Sequence, residues 1–397
     1  MIHHRHFAAA LVLVALGSEA AAEIRLIGKG AIPADAADKS GVNGILEDGT
    51  RLNTLGSCGS GIAHTGVGQR YVLVSDRGPK DGAAAFPCRF HVMDLTLDGA
   101  GGLKWDLIET RLLTDAQGRS FIGLASELRP GKTAGRLDPE AVRVSPSGTI
   151  LIADEYGPHL MEFSAEGRLI REFSLPKHLR IAHPHADAAK ELADNKSGRV
   201  PNRGMEGLAI TPDGSKLLGA MQSPLIQDGG TRGTNLRLVE IDLASGATRE
   251  FLYALEHAKM AVSEILAVND HEFLVLERTG SSDAAGSRTA RIFKIDISRA
   301  TDISRYPSLP RDTIPSDVVP VNKSPFIDLL DPAFGLAGPD FPTKVEGLAF
   351  GPDLPDGRRL LLVTSDNDCS AEPMHIWAFA IESRDLPHFQ PQSFRSR

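Results

Sequence analysis

Nine acidic residues return at two places in a repeating pattern. Glu140, Glu206, Glu264 and Glu346 each open a short apolar run, while Asp76, Asp154, Glu155, Glu277 and Asp366 end the apolar run after the next turn. Arg77, Arg203 and Arg278 stand close to them in the chain. Gathered in one place, so many carboxylates repel, and some must be protonated, paired with cations or bound to a metal. Oxygen ligands with several carboxylates favour Ca²⁺, and next Mg²⁺, over zinc. Arginines at such a site can pair with the acids or grip a phosphate through two parallel hydrogen bonds. A divalent ion there could polarise a phosphoryl oxygen or lower the pKa of a water, with a free carboxylate as general base. This chemistry gives catalytic roles to Glu155, Asp154, Arg278 and Arg77. It gives metal-ligand roles to Asp76, Glu140, Glu206, Glu264, Glu277, Glu346 and Asp366. A plainer role competes for each glutamate, which can accept backbone N–H bonds from a neighbouring unit and simply hold the units together. Gln222 stands where other units carry an acid, which weakens that sector as a ligand position.

The elements that must position these groups form a repeat. One copy runs Glu140-Ala-Val-Arg-Val144, a Pro146-Ser-Gly turn, Thr149 to Gly157, then His159-Leu-Met-Glu-Phe163. Others start at Glu206, Glu264 and Glu346, and a weaker copy at Gly61 has Ser60 in place of the glutamate. The first strands read as buried on both faces and the third strands alternate. Pro/Gly turns between them fit antiparallel hairpins, and fourth strands fit Lys104 to Leu113 and Leu169 to Leu175. Four-stranded antiparallel units repeated in this way predict an all-β chain folded as a single β-propeller. Five units are visible, with room for a sixth, and the spare strand Ile24 to Ile32 would close the ring by joining the last blade. In a blade, the start of the first strand and the end of the second lie on the same face. All nine acids are therefore expected at one mouth of the channel.

Of 397 residues, 43 are Lys or Arg and 51 Asp or Glu, a formal charge of −8. This balance, with no basic block, argues against nucleic acid and against an anionic membrane surface as partner. Residues 1–22 read as a signal peptide, with an apolar run at Phe7 to Leu16 too short to span a membrane and cleavage near Ala22. The mature chain, 23–397, is then expected to be one propeller, periplasmic or secreted, without a membrane span and most simply a monomer. In an oxidising compartment Cys58, Cys88 and Cys369 can form one disulfide. Cys58–Cys88 is the preferred pair and Cys58–Cys369 the alternative. Polar or Pro-rich insertions at Thr114 to Leu137, His178 to Pro201, Ser281 to Thr289 and Ser298 to Asp340 read as loops on the faces. His183-Pro-His185 with Asp187 falls in one of these and reads as a solvated loop. His64, near the first inner strand, is expected at the acidic mouth as a rim histidine.

The motifs Asp138-Pro-Glu-Ala-Val142, Asp154-Glu-Tyr-Gly-Pro158, Asn202-Arg-Gly-Met-Glu-Gly-Leu208, Leu276-Glu-Arg278, Glu346-Gly-Leu348 and Ser365-Asp-Asn367 occur in this order. Together they resemble the phytase-like, "esterase-like activity of phytase", family of exported bacterial proteins, over roughly Ile45 to Ala380. The acidic mouth with its interspersed arginines, taken with this resemblance, points to a divalent-metal-dependent hydrolase acting on a small phosphorylated molecule or another small ligand. A non-catalytic propeller binding a metal ion or small ligand in the cell envelope is the competing class. No Gly-x-Ser-x-Gly elbow and no Gly-x-x-x-x-Gly-Lys loop occurs, so serine-esterase and nucleotide-hydrolase readings lack their signatures. The Asp366-x-Asp368 start of a calcium loop fails at Ala371, where glycine is required.

Overall fold

The computed structural model describes residues 24–128, 135–279 and 288–395. The signal-peptide reading and parts of the Thr114 to Leu137 and Ser281 to Thr289 insertions lie outside the described residues. Five antiparallel sheets of four strands follow one another around a ring. The first blade has Gly61–His64 innermost, then Arg70–Val74, Arg89–Leu97 and Leu103–Leu112. The innermost strands of the next three are Pro139–Val144, Met205–Ile210 and Met260–Ala267. The fifth blade runs from Lys344–Phe350 through Arg359–Asp366 and Met374–Ile381 to Arg25–Ile32, so the N-terminal strand closes the ring as expected. There is no sixth blade among the described residues. The long gaps carry isolated bridges and a short helix, Ala188–Asp194, capped by the Asp187 carboxylate. The Ser298 to Asp340 insertion is more than a loop, for it supplies the outer strand of the fourth blade, Asn322–Asp328.

The core lies in the seams between blades. Ile62, Leu73 and Met93 of the first blade pack on Leu362 and Ile376 of the fifth, and Val142, Ile152 and Phe163 of the second pack on Val74 and Phe90 of the first. Burying each side chain of this size contributes about 1.5–3 kcal/mol. The seams also decide the cysteines. Cys58 faces the fifth blade, with its Sγ 3.3 Å from Met374 Sδ, whereas Cys88 faces the second and donates to Leu137 O at 3.5 Å. All three cysteines are free thiols, so neither expected disulfide is present.

Neighbouring innermost strands approach so closely that a side chain is excluded at some positions. A Cβ on Gly207 would lie 2.9 Å from the backbone nitrogen of Ile265 in the next blade. Gly207→Val should therefore destabilise the protein by about 1–3 kcal/mol through overpacking. Urea unfolding checks this; an unchanged midpoint would show that the seam can open without cost.

Candidate metal centre at one mouth of the channel

Register places the acids. In four blades a bulge interrupts the pairing of the first two strands at the same level: between Pro139 and Ala141, Met205 and Gly207, Val262 and Glu264, and Val345 and Gly347. A bulge leaves one residue unpaired and re-aims its side chain. The bulged residues are Glu140, Glu206, Ser263 and Glu346. Ser60 holds the corresponding place in the first blade, since Gly61 pairs with Val74 as Gly347 pairs with Thr364. Beside them, at the corresponding level of the second strands, come Asp76, Glu155 and Gln222, just past the paired residues, and Arg278 and Asp366, still within the pairing.

These two tiers make a mouth with two carboxylate clusters. Asp138, Glu140 and Glu155 each bring an oxygen within 4.8 Å of the others, and Asp76, Asp366 and Asp368 do the same. Arg77 serves the first, with Nη1 2.5 Å from Asp138 and 3.4 Å from Glu155, and it also donates to Asn202. Arg278 donates from Nε to Ser263 at 2.7 Å and from Nη2 to Glu346 at 2.5 Å. Lys344 pairs with Asp368 at the rim. Gln222 donates to Glu206 at 2.6 Å, and Ser57 and Ser60 both donate to Asp366. Among the described residues, Asp76, Asp138, Glu140, Glu155, Glu206, Glu346, Asp366 and Asp368 thus share the mouth with three cations, Arg77, Arg278 and Lys344.

The excess of acid has an electrostatic signature. Burial pushes the carboxyls of Glu140 and Glu155 well above the usual range, and repulsion from Glu206 and Asp138 adds to it. Asp76 rises for the same reason, with Asp366 as its repelling neighbour. Glu346 is pushed up to about 8 by burial, against the pull of Lys344 and Arg278. Two buried carboxylate oxygens, Glu155 Oε1 and Glu206 Oε2, have no hydrogen-bond partner, nor does Arg77 Nε. Native structures rarely leave such atoms unsatisfied unless an ion, water or ligand completes them. Hard oxygen donors in this number suit a divalent cation.

Three of the nine expected acids do not join the mouth. Glu264 lies one residue beyond the bulge, level with Gly207 and Gly347 rather than with the other glutamates. It accepts from the backbone of Leu208 and Ile265 and pairs with Arg143 at 2.9 Å, which is the blade-holding role. Glu277 points to the opposite side of its strand from Arg278, where it meets Tyr253 and Lys323. Asp154 is fully buried and accepts from the backbone of Asp138 and Gly157, so it positions Asp138 rather than facing the channel. Arg203 is half-buried and makes no ion pair with these acids among the described contacts. His64 ends the first innermost strand and lies at the other mouth, bonded to Gly68 and Gly66. The sequence reading gave no role to Asp138, Lys344 or Asp368. Asp138-x-Glu140 and Lys344-x-Glu346 carried the signal, because residues two apart on an extended strand share a face.

A family model described as "Phytase-like: Esterase-like activity of phytase" matches residues 54–369. An "Uncharacterized secreted protein" of Arthroderma benhamiae is 25% identical over 350 residues, which is 68% of this chain and 66% of that protein, just under two thirds of its length. Among solved structures, a GH43 glycoside hydrolase aligns at 11% identity and TM-score 0.37, over 90% of this chain and 52% of that one. A streptogramin B lyase aligns at 12% identity and TM-score 0.33, over 82% and 94%. Likenesses this distant carry no argument about chemistry. Among the described residues no helix is long and apolar enough to cross a membrane.

Glu346 near 8 and Glu264, pushed up to about 7 mainly by burial, both bind protons in the folded chain that they release when it unfolds. The folded state therefore holds more protons between about pH 4.5 and 8, and stability of the metal-free protein should fall as pH rises through that window. Thermal melts from pH 5 to 8 in chelator test this, and a midpoint that climbs over the interval would contradict it.

Proposed function

The chain belongs to the phytase-like family, esterase-like activity of phytase, and on that premise we propose that it is an exported, divalent-metal-dependent hydrolase of phosphate esters working at the acidic mouth. The observation that carries this reading is the pair of unpartnered buried oxygens, Glu155 Oε1 and Glu206 Oε2, inside a ring of acids with too few cations. Asp138, Glu140 and Glu155 would hold a cation, with Asp76, Asp366 and Asp368 as a second set of donors. Ca²⁺ is favoured and Mg²⁺ is the alternative, since both take carboxylate oxygens. Such an ion supplies Lewis-acid polarisation of a phosphoryl oxygen and a more acidic bound water.

The chain's own residues do the rest. Arg77 and Arg278 stand on different sectors of the mouth, each held by a carboxylate, and offer planar N–H groups suited to phosphate oxygens. Glu155, with one oxygen held near Arg77 and the other free, is the group placed to take a proton. Asp154 acts through Asp138, whose backbone it fixes. Export is supported by the secreted relative and by the signal-peptide reading of residues 1–22, with the mature chain periplasmic or secreted.

Calorimetric titration should show Ca²⁺ binding that Glu155→Gln weakens by about tenfold or more. The same substitution removes a buried carboxyl whose charged form its neighbours repel, so it should raise the melting temperature of the metal-free protein. A panel of phosphate mono- and diesters, assayed with Ca²⁺, Mg²⁺ and chelator, tests turnover. Tight binding with no turnover of any ester would move the protein to the non-catalytic binding class.

A further inference from the structure

The channel has a second mouth, where the innermost strands end, and it differs in every respect from the first. A cavity of about 480 Å³ opens there between Ile62, Ala63, Ile210, Leu266 and Ala349. Its roof is the C-terminal segment, which contributes Phe389, Gln390, Pro391, Gln392 and Phe394. That segment is strapped to all five blades. Gln390 N donates to Val268 O, Ser393 N to Pro212 O and Arg395 N to Pro146 O, on the fourth, third and second blades. The Phe389 ring packs edge-on to Phe350 of the fifth at 4.7 Å, and the Phe394 ring approaches His64 of the first at 6.3 Å.

The lining has no free charge. Arg143 borders the cavity but is paired with Glu264, and Asp353 is paired with Arg359. His64 Nδ1 accepts from the Gly66 N–H, which leaves Nε2–H to donate to Gly68 O, so the ring is neutral. Two buried donors at this end nevertheless lack acceptors. One is Arg143 Nε; the other is the Tyr71 hydroxyl, which lies against Gly351 of the cavity wall. Cavities of this volume with apolar walls and a few polar groups are typical of small-molecule sites.

We propose that this second mouth is a binding site, separate from the acidic one, for an uncharged and largely apolar small molecule carrying an oxygen acceptor, with the C-terminal strap as its lid. A charged ligand would meet no counter-charge there, whereas an ether, ketone or hydroxyl oxygen would approach Arg143, a lining residue whose Nε is left without a partner. Arg143 also separates the two mouths. Its guanidinium donates to Ile62 O at 2.9 Å and Ile265 O at 2.8 Å, tying the first and fourth blades to the second.

The test is fluorescence titration of the Ca²⁺-treated full chain with Nile red, a neutral dye with a carbonyl oxygen, and with 2-naphthol as competitor. One saturable site is expected, with affinity in about the micromolar range. Pro391→Trp fills the cavity from the exposed strap and Ala267→Leu fills it from the wall. Each should weaken the dye about tenfold and leave the Ca²⁺ titration of the acidic mouth unchanged. Anionic anilinonaphthalene sulfonate should not displace the dye. The proposal is overturned if neither neutral probe saturates, if both filled variants bind as the parent does, or if the anionic dye competes equally.

Discussion

Carboxylate repulsion at the acidic mouth is the constraint to which the other features answer. Among the described residues eight acids share that space with three cations, and burial raises the cost of each charge that remains. An open sheet could relieve such a load by splaying its strands. A ring closed by the pairing of the N-terminal strand with the last blade cannot, because every innermost strand is held between two neighbours. The hydrophobic seams hold the acids together, and the acids answer by holding protons and by leaving oxygens unpaired. A cation that bound only the folded state at such a site would shift the folding equilibrium toward it.

The same repeat yields two different solutions to burying a glutamate. Glu140, Glu206 and Glu346 sit on bulges and face the channel mouth. Glu264 sits one residue deeper, where backbone N–H groups and Arg143 satisfy it. Its blade places Ser263 on the bulge, and Arg278 reaches that serine on its way to Glu346. A one-residue offset therefore turns a channel-facing acid into a tie between blades and makes room for a cation in the ring of acids. Arg143, at the level of that tie, divides the channel into a charged end and an uncharged end.

Composition, repeat and turn chemistry settled the blades, their strand order, the ring closure and the face on which most of the acids gather. These follow from local patterns: strand periodicity, Pro/Gly turns, and the rule that first-strand starts and second-strand ends share a face. Which acids face the channel was decided by the tertiary structure alone. Glu277 and Arg278 are adjacent and point to opposite sides of one strand, so only register tells which enters the channel. Bulges shift that register without a mark in the sequence, and the role of Glu264 turned on one. The partners of Asp154, the separation of Cys58 from Cys88 and the strapped second mouth likewise rest on contacts between residues far apart in the chain. A local pattern cannot encode these, because each is fixed only when neighbouring blades pack.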